Sequence, residues 1–190
     1  MPVQLLTLME QEIRIKIADI DSVKNLLESK GAELLSFKEQ EDMYFGNKDI
    51  YKKLGRSFML RIRNSGGEYE LAFKGATGKD GIYEEHQIKV NKDYADELKI
   101  IIERSGFEHI ITVNKKRHSY RYMKAEIELD QIDGLGDFVE IEIISDEAKD
   151  EELKSITADL GFDKNEIIRK GYVTMLLAKN NSPYSKYING

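Results

Sequence analysis

Glu10, Glu12, Arg14 and Lys16 occupy every second position of the run Glu10-Gln11-Glu12-Ile13-Arg14-Ile15-Lys16. In a β-strand these four side chains share one face, and Ile13, Ile15 and Ile17 share the other. Two carboxylates followed by two cations on one face suit a divalent metal held beside a phosphate chain. Hard cations take oxygen ligands, and charged N–H donors take phosphate oxygens. A solvated strand also alternates polar and apolar residues, so this segment alone leaves that plainer reading open.

The pattern recurs along the chain. Arg61 and Arg63 alternate with Leu60 and Ile62. Lys74 falls opposite Leu71 and Phe73. Glu85, Gln87 and Lys89 fall opposite His86, Ile88 and Val90. Lys115 and Arg117 share parity, as do Glu126, Glu128 and Asp130, and Glu140 and Glu142. An ordinary sandwich would scatter uncharged polar residues over its outer faces. Clusters of both signs on one side of most strands predict a sheet closed around a charged interior, its apolar outer face covered by helices. A charge-lined cavity needs a charged ligand.

The elements that must carry these faces follow a repeated order. A strand over 10–17 leads to Asp19 and Ser22 as N-cap candidates, then to a helix carrying Val23, Leu26 and Leu27 that Gly31 stops. A strand over 83–90 leads to a helix with Tyr94, Ala95, Leu98, Ile101 and Ile102, ended by Gly106. A strand over 138–144 leads to a helix with Ala148, Ile156 and Leu160, ended by Gly161. Strands are predicted also over 34–46, 57–64, 68–75, 112–122 and 124–132, and a last helix over 164–179. The expected fold class is α+β: an antiparallel closed β-barrel of about eight strands, forming a tunnel, with helices packed on its outside. The chain reads as a single domain over residues 1–190, with loose ends at 1–8 and 180–190.

Composition narrows the function classes. The 190 residues carry a formal net charge of −6, so bulk charge does not favour nucleic acid. With no cysteine there is no disulfide framework and no thiolate chemistry. No apolar run reaches the roughly 20 residues of a membrane helix. Val3 to Met9 lacks the basic start of a signal peptide. A cytoplasmic location is the expectation.

Further motifs carry a family resemblance. They are Glu41-Asp42-x-Tyr44-Phe45, Leu60-Arg61-Ile62-Arg63, Phe73-Lys74, Lys115-Lys116-Arg117 and Gly134-Leu135-Gly136-Asp137-Phe138-Val139-Glu140-Ile141-Glu142. With the strand of Glu10 and Glu12, the chain resembles the CYTH superfamily, the triphosphate tunnel metalloenzymes, over residues 10–177, archaeal and bacterial members above all. The group joins class IV adenylyl cyclases, thiamine triphosphatases and inorganic triphosphatases. Three places depart from its pattern. Arg14 stands where the E-x-E-x-K strand has lysine, Gln87 where a glutamate is frequent, and Gly171 where the late K-S-Y motif has serine.

The resemblance implies Mg²⁺ or Mn²⁺ on Glu10, Glu12, Glu140 and Glu142, the same four being the catalytic set, with Glu85 and Asp130 as further metal ligands and Glu128 beside them. It implies a triphosphate on Arg14, Lys16, Arg61, Arg63, Lys74, Lys115 and Arg117, with Lys170, Lys89 and Arg121 as outer candidates. Truncating one of these cations should cost little stability, since like charges repel in an empty tunnel. The expected partner is a small molecule bearing a triphosphate, with no nucleic acid and no membrane; homodimers are frequent in the family. The leading expectation is metal-dependent hydrolysis of inorganic, nucleoside or thiamine triphosphate. The alternatives are a class IV adenylyl cyclase, which releases cyclic AMP and pyrophosphate, and a polyphosphate- or nucleotide-binding module without turnover. His86 falls on the apolar face and reads as structural.

Overall fold

The computed structural model describes residues 9–75, 85–145 and 150–188, with the backbone alone at 9–11, 144–145 and 150. The strands are β1 (Met9–Ile17), β2 (Glu33–Gly46), β3 (Phe58–Ser65), β4 (Glu68–Gly75), β5 (Glu85–Val90), β6 (Glu108–Tyr122), β7 (Ala125–Ile132), β8 (Gly136–Ser145) and β9 (Ile167–Ile168). The helices are α1 (Ile20–Ser29), α2 (Lys48–Leu54), α3 (Ala95–Arg104), α4 (Asp150–Asp159) and α5 (Tyr172–Lys179). The strands form one antiparallel sheet in the order β5-β4-β3-β2-β6-β7-β8-β1-β9. This is the α+β class expected, with one strand more; closure into a barrel stays an expectation. The chain groups into two compact units, the first from Met1–Ser36, His118–Asp130 and Asp137–Arg169, the second from Phe37–Arg117, Gln131–Gly136 and Lys170–Gly190.

In the first unit β1 lies antiparallel to β8, with Glu12 opposite Glu142, Arg14 opposite Glu140 and Lys16 opposite Phe138. Directly opposed residues share a face. The other face pairs Ile13 with Ile141 and Ile15 with Val139. That apolar face, with Ala125, Ile127 and Leu129 of β7, packs on Ile20, Val23 and Leu27 of α1 and on Leu153 and Ile156 of α4. Helix α1 starts where expected because the Asp19 side chain accepts the backbone N–H of Asp21 and of Ser22, both at 3.2 Å.

In the second unit the register of β2, β3, β4 and β5 sorts residues the same way. Tyr44 opposes Arg61, Asp42 opposes Arg63, Arg63 opposes Glu70, and Lys74 opposes Glu85. The opposite face carries Met43, Phe45, Leu60, Ile62, Tyr69 and Leu71, which pack with Leu98 and Ile102 of α3. The helices therefore cover apolar residues of β1, β3, β4, β7 and β8, as the alternation required, but on β5 the residues expected on the apolar face, His86 and Ile88, are exposed. Two residues expected on the packed side of α3, Tyr94 and Ile101, are exposed; Leu98 and Ile102 do that work.

Two stretches differ from the sequence expectation. Helix α2 was not foreseen: Lys48 to Leu54 buries only Tyr51, so it shows no apolar stripe, and it is set by its ends. Asn47 caps it by accepting from the N–H of Asp49 and Ile50, and Gly55 ends it with φ +67°. The helix predicted over 164–179 is confined to 172–179, and Ile167 and Ile168 instead pair with Ile15 and Arg14 as β9. Two adjacent β-branched residues beside an open strand edge favour pairing over helix. The expected loose start at 1–8 lies outside the described residues. Near the other end Tyr184 and Ile188 are buried, and the Tyr184 hydroxyl donates to Glu108 at 2.8 Å.

Candidate functional site

The charged face of the first unit is built on β1, β7 and β8. Arg14 is buried and donates from Nε to Glu140 Oε1 at 2.5 Å and from Nη2 to Glu12 Oε1 at 3.0 Å. It bridges a carboxylate from each of two strands. Glu12 is partly exposed, and Glu142 stands directly opposite it. On β7, Glu128 and Asp130 are buried, and Ser119 Oγ donates to both oxygens of Glu128 at 3.1 and 3.2 Å. Glu126 is half-buried. Lys16 is exposed, its ammonium 5.8 Å from the centre of the Phe138 ring. Glu10 keeps its place in β1, opposite Ile144, and its side chain lies outside the described residues.

Among the described residues no three acidic or histidine side chains are gathered closely enough to hold a metal as they stand. The residues nevertheless fit one. Mg²⁺ usually takes only one or two carboxylates and completes its shell with water and phosphate oxygens. Glu12 and Glu142, side by side on one face, meet that demand.

The charged face of the second unit is richer in cations. Arg61 is 3% exposed; its Nη2 donates to Glu70 Oε1 at 2.5 Å and to Glu85 Oε1 at 3.3 Å. Its Nε is buried and finds no hydrogen-bond partner among the described residues. Lys74 donates to Glu85 Oε2 at 2.7 Å. Arg63 grips Asp42 with two bonds, Nε to Oδ1 at 2.6 Å and Nη2 to Oδ2 at 2.7 Å. Lys115 Nζ lies 3.7 Å from Asp42 Oδ2. Arg117 is half-buried and close enough to act on the charge of Arg63. Lys89 is exposed in β5, Lys170 is exposed, and Arg121 in the first unit is exposed and pairs with Glu33.

Burial pushes the Asp42 carboxyl up, but the hydrogen-bonded Arg63 fork and the charges of Lys115, Arg63 and Arg61 outweigh it and hold the group well below the usual carboxylate range. Burial acts to lower the Arg63 guanidinium, and Asp42 reverses that. Burial, with Asp42 close by, pushes the Tyr44 phenol far above its ordinary value. By the β3–β4 turn an open depression of about 360 Å³ is lined by Gln40, Asn64, Gly66, Asn114 and Lys115 among others.

The strands thus bring together Arg14, Glu12 and Glu140 in the first unit, and Arg61, Lys74 and Glu85 in the second. Glu85, expected as a metal ligand, here serves Lys74 and Arg61. The geometry argues against the expectation that cation truncation costs little stability at Arg63, whose removal would leave Asp42 buried without its fork. Sequence reasoning gave no role to Asp42, Tyr44 or Glu70. The signal was present for the first two: Gln40, Asp42 and Tyr44 alternate on β2 as Arg61 and Arg63 do on β3.

A family model described as the CYTH domain matches residues 8–172. A protein of the archaeon Methanocaldococcus jannaschii, named "Putative adenylate cyclase", is 31% identical over 174 residues, 88% of this chain and 98% of the relative. Among solved structures, a conserved hypothetical protein of Pyrococcus furiosus is 27% identical with a TM-score of 0.75, covering 86% of this chain and 98% of its own. A protein from Hippeastrum named "Putative adenylyl cyclase" and described as revealing a dominant triphosphatase activity is 16% identical with a TM-score of 0.65, covering 92% of this chain and 96% of its own.

Proposed function

The chain belongs to the CYTH domain family, and from that premise we propose that it is a divalent-metal-dependent enzyme that hydrolyses a triphosphate. The observation that carries this reading is Arg61. A buried guanidinium that keeps an unpartnered Nε–H on a face shared with Arg63 and Lys74 has room for one more acceptor, and a phosphate oxygen fits that place.

Roles follow from the two charged faces. Arg61, Arg63, Lys74, Lys115 and Arg117 bind the phosphate chain and spread its charge over several donors. Glu12 and Glu142 hold Mg²⁺ or Mn²⁺, with Glu10, Glu140 and Asp130 as neighbours. A divalent metal held there would supply charge neutralisation at the phosphoryl oxygens. Arg14 keeps Glu12 and Glu140 in fixed orientation and offsets their repulsion. In the reaction a water oxygen bonds to the terminal phosphorus, the bridging P–O bond breaks, and orthophosphate and pyrophosphate or a diphosphate leave.

The name of the Methanocaldococcus relative favours a second reading, cyclisation of ATP to cyclic AMP and pyrophosphate. That reaction needs the ribose 3′-hydroxyl, whereas hydrolysis needs only the phosphate chain. The test is product analysis on inorganic triphosphate and on ATP, with Mg²⁺ or Mn²⁺. Inorganic triphosphate is expected to turn over at least as well as ATP. Cyclic AMP as the main product, with inorganic triphosphate untouched, would decide for the cyclase.

A further inference from the structure

Asp42 is an anion, 1% exposed, in the middle of a face assigned to bind anions. By charge alone it should weaken that face. Its geometry gives it another task. A guanidinium has five N–H donors, one on Nε and two on each terminal nitrogen. Asp42 takes Arg63 from the side, through Nε and Nη2, at 2.6 and 2.7 Å. That uses two donors and leaves three, among them the parallel pair at the end of the fork, one on Nη1 and one on Nη2. Among the described residues the Arg63 side chain makes no other hydrogen bond, and it is 18% exposed. The end of the fork is therefore open, and its spacing matches two oxygens of one phosphate. Asp42 cannot swing away. It is fully buried, Tyr44 beside it on β2 is buried, and Lys115 approaches the same Oδ2.

We propose that Asp42 is a positioning residue that holds Arg63 by its side, so that the end of the guanidinium is presented to one phosphate group of the substrate. The inference rests on the triphosphate reading above and goes beyond it, because the residue that fixes the geometry carries the same sign as the ligand. Charge and orientation then predict opposite outcomes. Removing only the charge should tighten binding of a polyanion if Asp42 acts through its field, and should loosen it if Asp42 acts through the fork.

The experiment measures calorimetric binding of inorganic tripolyphosphate to the wild type, Asp42→Asn, Arg63→Lys and the double variant. Asp42→Asn is expected to weaken binding about tenfold, the worth of roughly one charge-assisted hydrogen bond. In the Arg63→Lys background the same change should matter less than about twofold, because lysine has no fork to orient. A second measurement needs no variant of Asp42: nitrogen-15 resonances of Arg63 in the wild type during titration with tripolyphosphate. The Nη signals should move and Nε should stay. Equal or tighter binding by Asp42→Asn, an equal loss in both backgrounds, or a moving Nε with still Nη signals would each overturn the inference alone. A wild type that does not bind tripolyphosphate would overturn the triphosphate reading and this inference with it.

Discussion

The two charged faces use one strand alternation to opposite ends. In the first unit the majority is acidic, with Glu12, Glu128, Asp130, Glu140 and Glu142 on the strands around the buried Arg14. In the second the majority is cationic, and the buried minority group is Asp42, gripped by Arg63 and approached by Lys115. In both, a buried group of the minority sign is paired with groups of the majority sign, Arg14 with Glu12 and Glu140, Asp42 with Arg63 and Lys115. Like charges brought to one face repel, and burial makes that worse. One buried counter-charge, ion-paired with two of its neighbours, lets the cluster exist in the folded chain while its outer members stay accessible.

The largest expected effect falls on the acidic majority. Glu12→Gln and Glu142→Gln keep shape and lose charge, so turnover should fall to about a hundredth or less, the scale of losing one group that stabilises the transition state. Melting temperatures should hold, because Glu12 is partly exposed and neither substitution removes Arg14. Full activity of both variants, or of the wild type in excess chelator, would break the assignment of the first unit to the metal.

The next effect is on stability and separates minority from majority in the second unit. Arg63→Ala strands a buried carboxylate, and Lys115 at 3.7 Å replaces the fork only in part. The expected loss is about 3 kcal/mol, the low end for breaking a buried ion pair. Asp42→Asn should cost clearly less, since Arg63 is 18% exposed and can reach water. Denaturant unfolding of the two variants checks the order; a reversed order would mean that Arg63, not Asp42, is the less solvated partner.

The smallest effect is a pH dependence. The folded-state pKa of Asp42 is depressed below its ordinary value of 3.8. A depressed carboxylate stabilises the fold fully above the unfolded-state value and loses that contribution as pH falls toward the folded-state value. The Asp42 contribution should therefore be constant from neutral pH to about 5 and decline below about 4. Asp42→Asn should flatten that acid limb in unfolding measured as a function of pH. An unchanged limb would place the acid sensitivity on other carboxylates.

Much of this was legible in the chain because period-two alternation is a local property. Arg61 and Arg63 must share a face of any strand that holds them, as must Glu140 and Glu142, and so the sides of β1, β3, β4, β5 and β8 were readable. Helix α1 was readable from Asp19 and Gly31 for the same reason. Helix α2 was not, since one buried tyrosine makes no periodic signal. Nor was β9, whose two residues look helical until the edge of β1 is available to pair with them.

The sequence by itself determined which side chains face the same way, and hence that charges of each sign would be gathered on faces opposite the aliphatic core. Only the tertiary structure decided which charge meets which. Arg14 could have served a ligand or a carboxylate; the register of β1 against β8 gives it Glu140. Glu85 could have served a metal; the β4–β5 register gives it Lys74. Asp42 became a partner of Arg63 because the two strands align those positions 21 residues apart. Alternation is fixed by backbone geometry within a strand, but pairing depends on the register between strands, which turns and the packing of apolar faces set together.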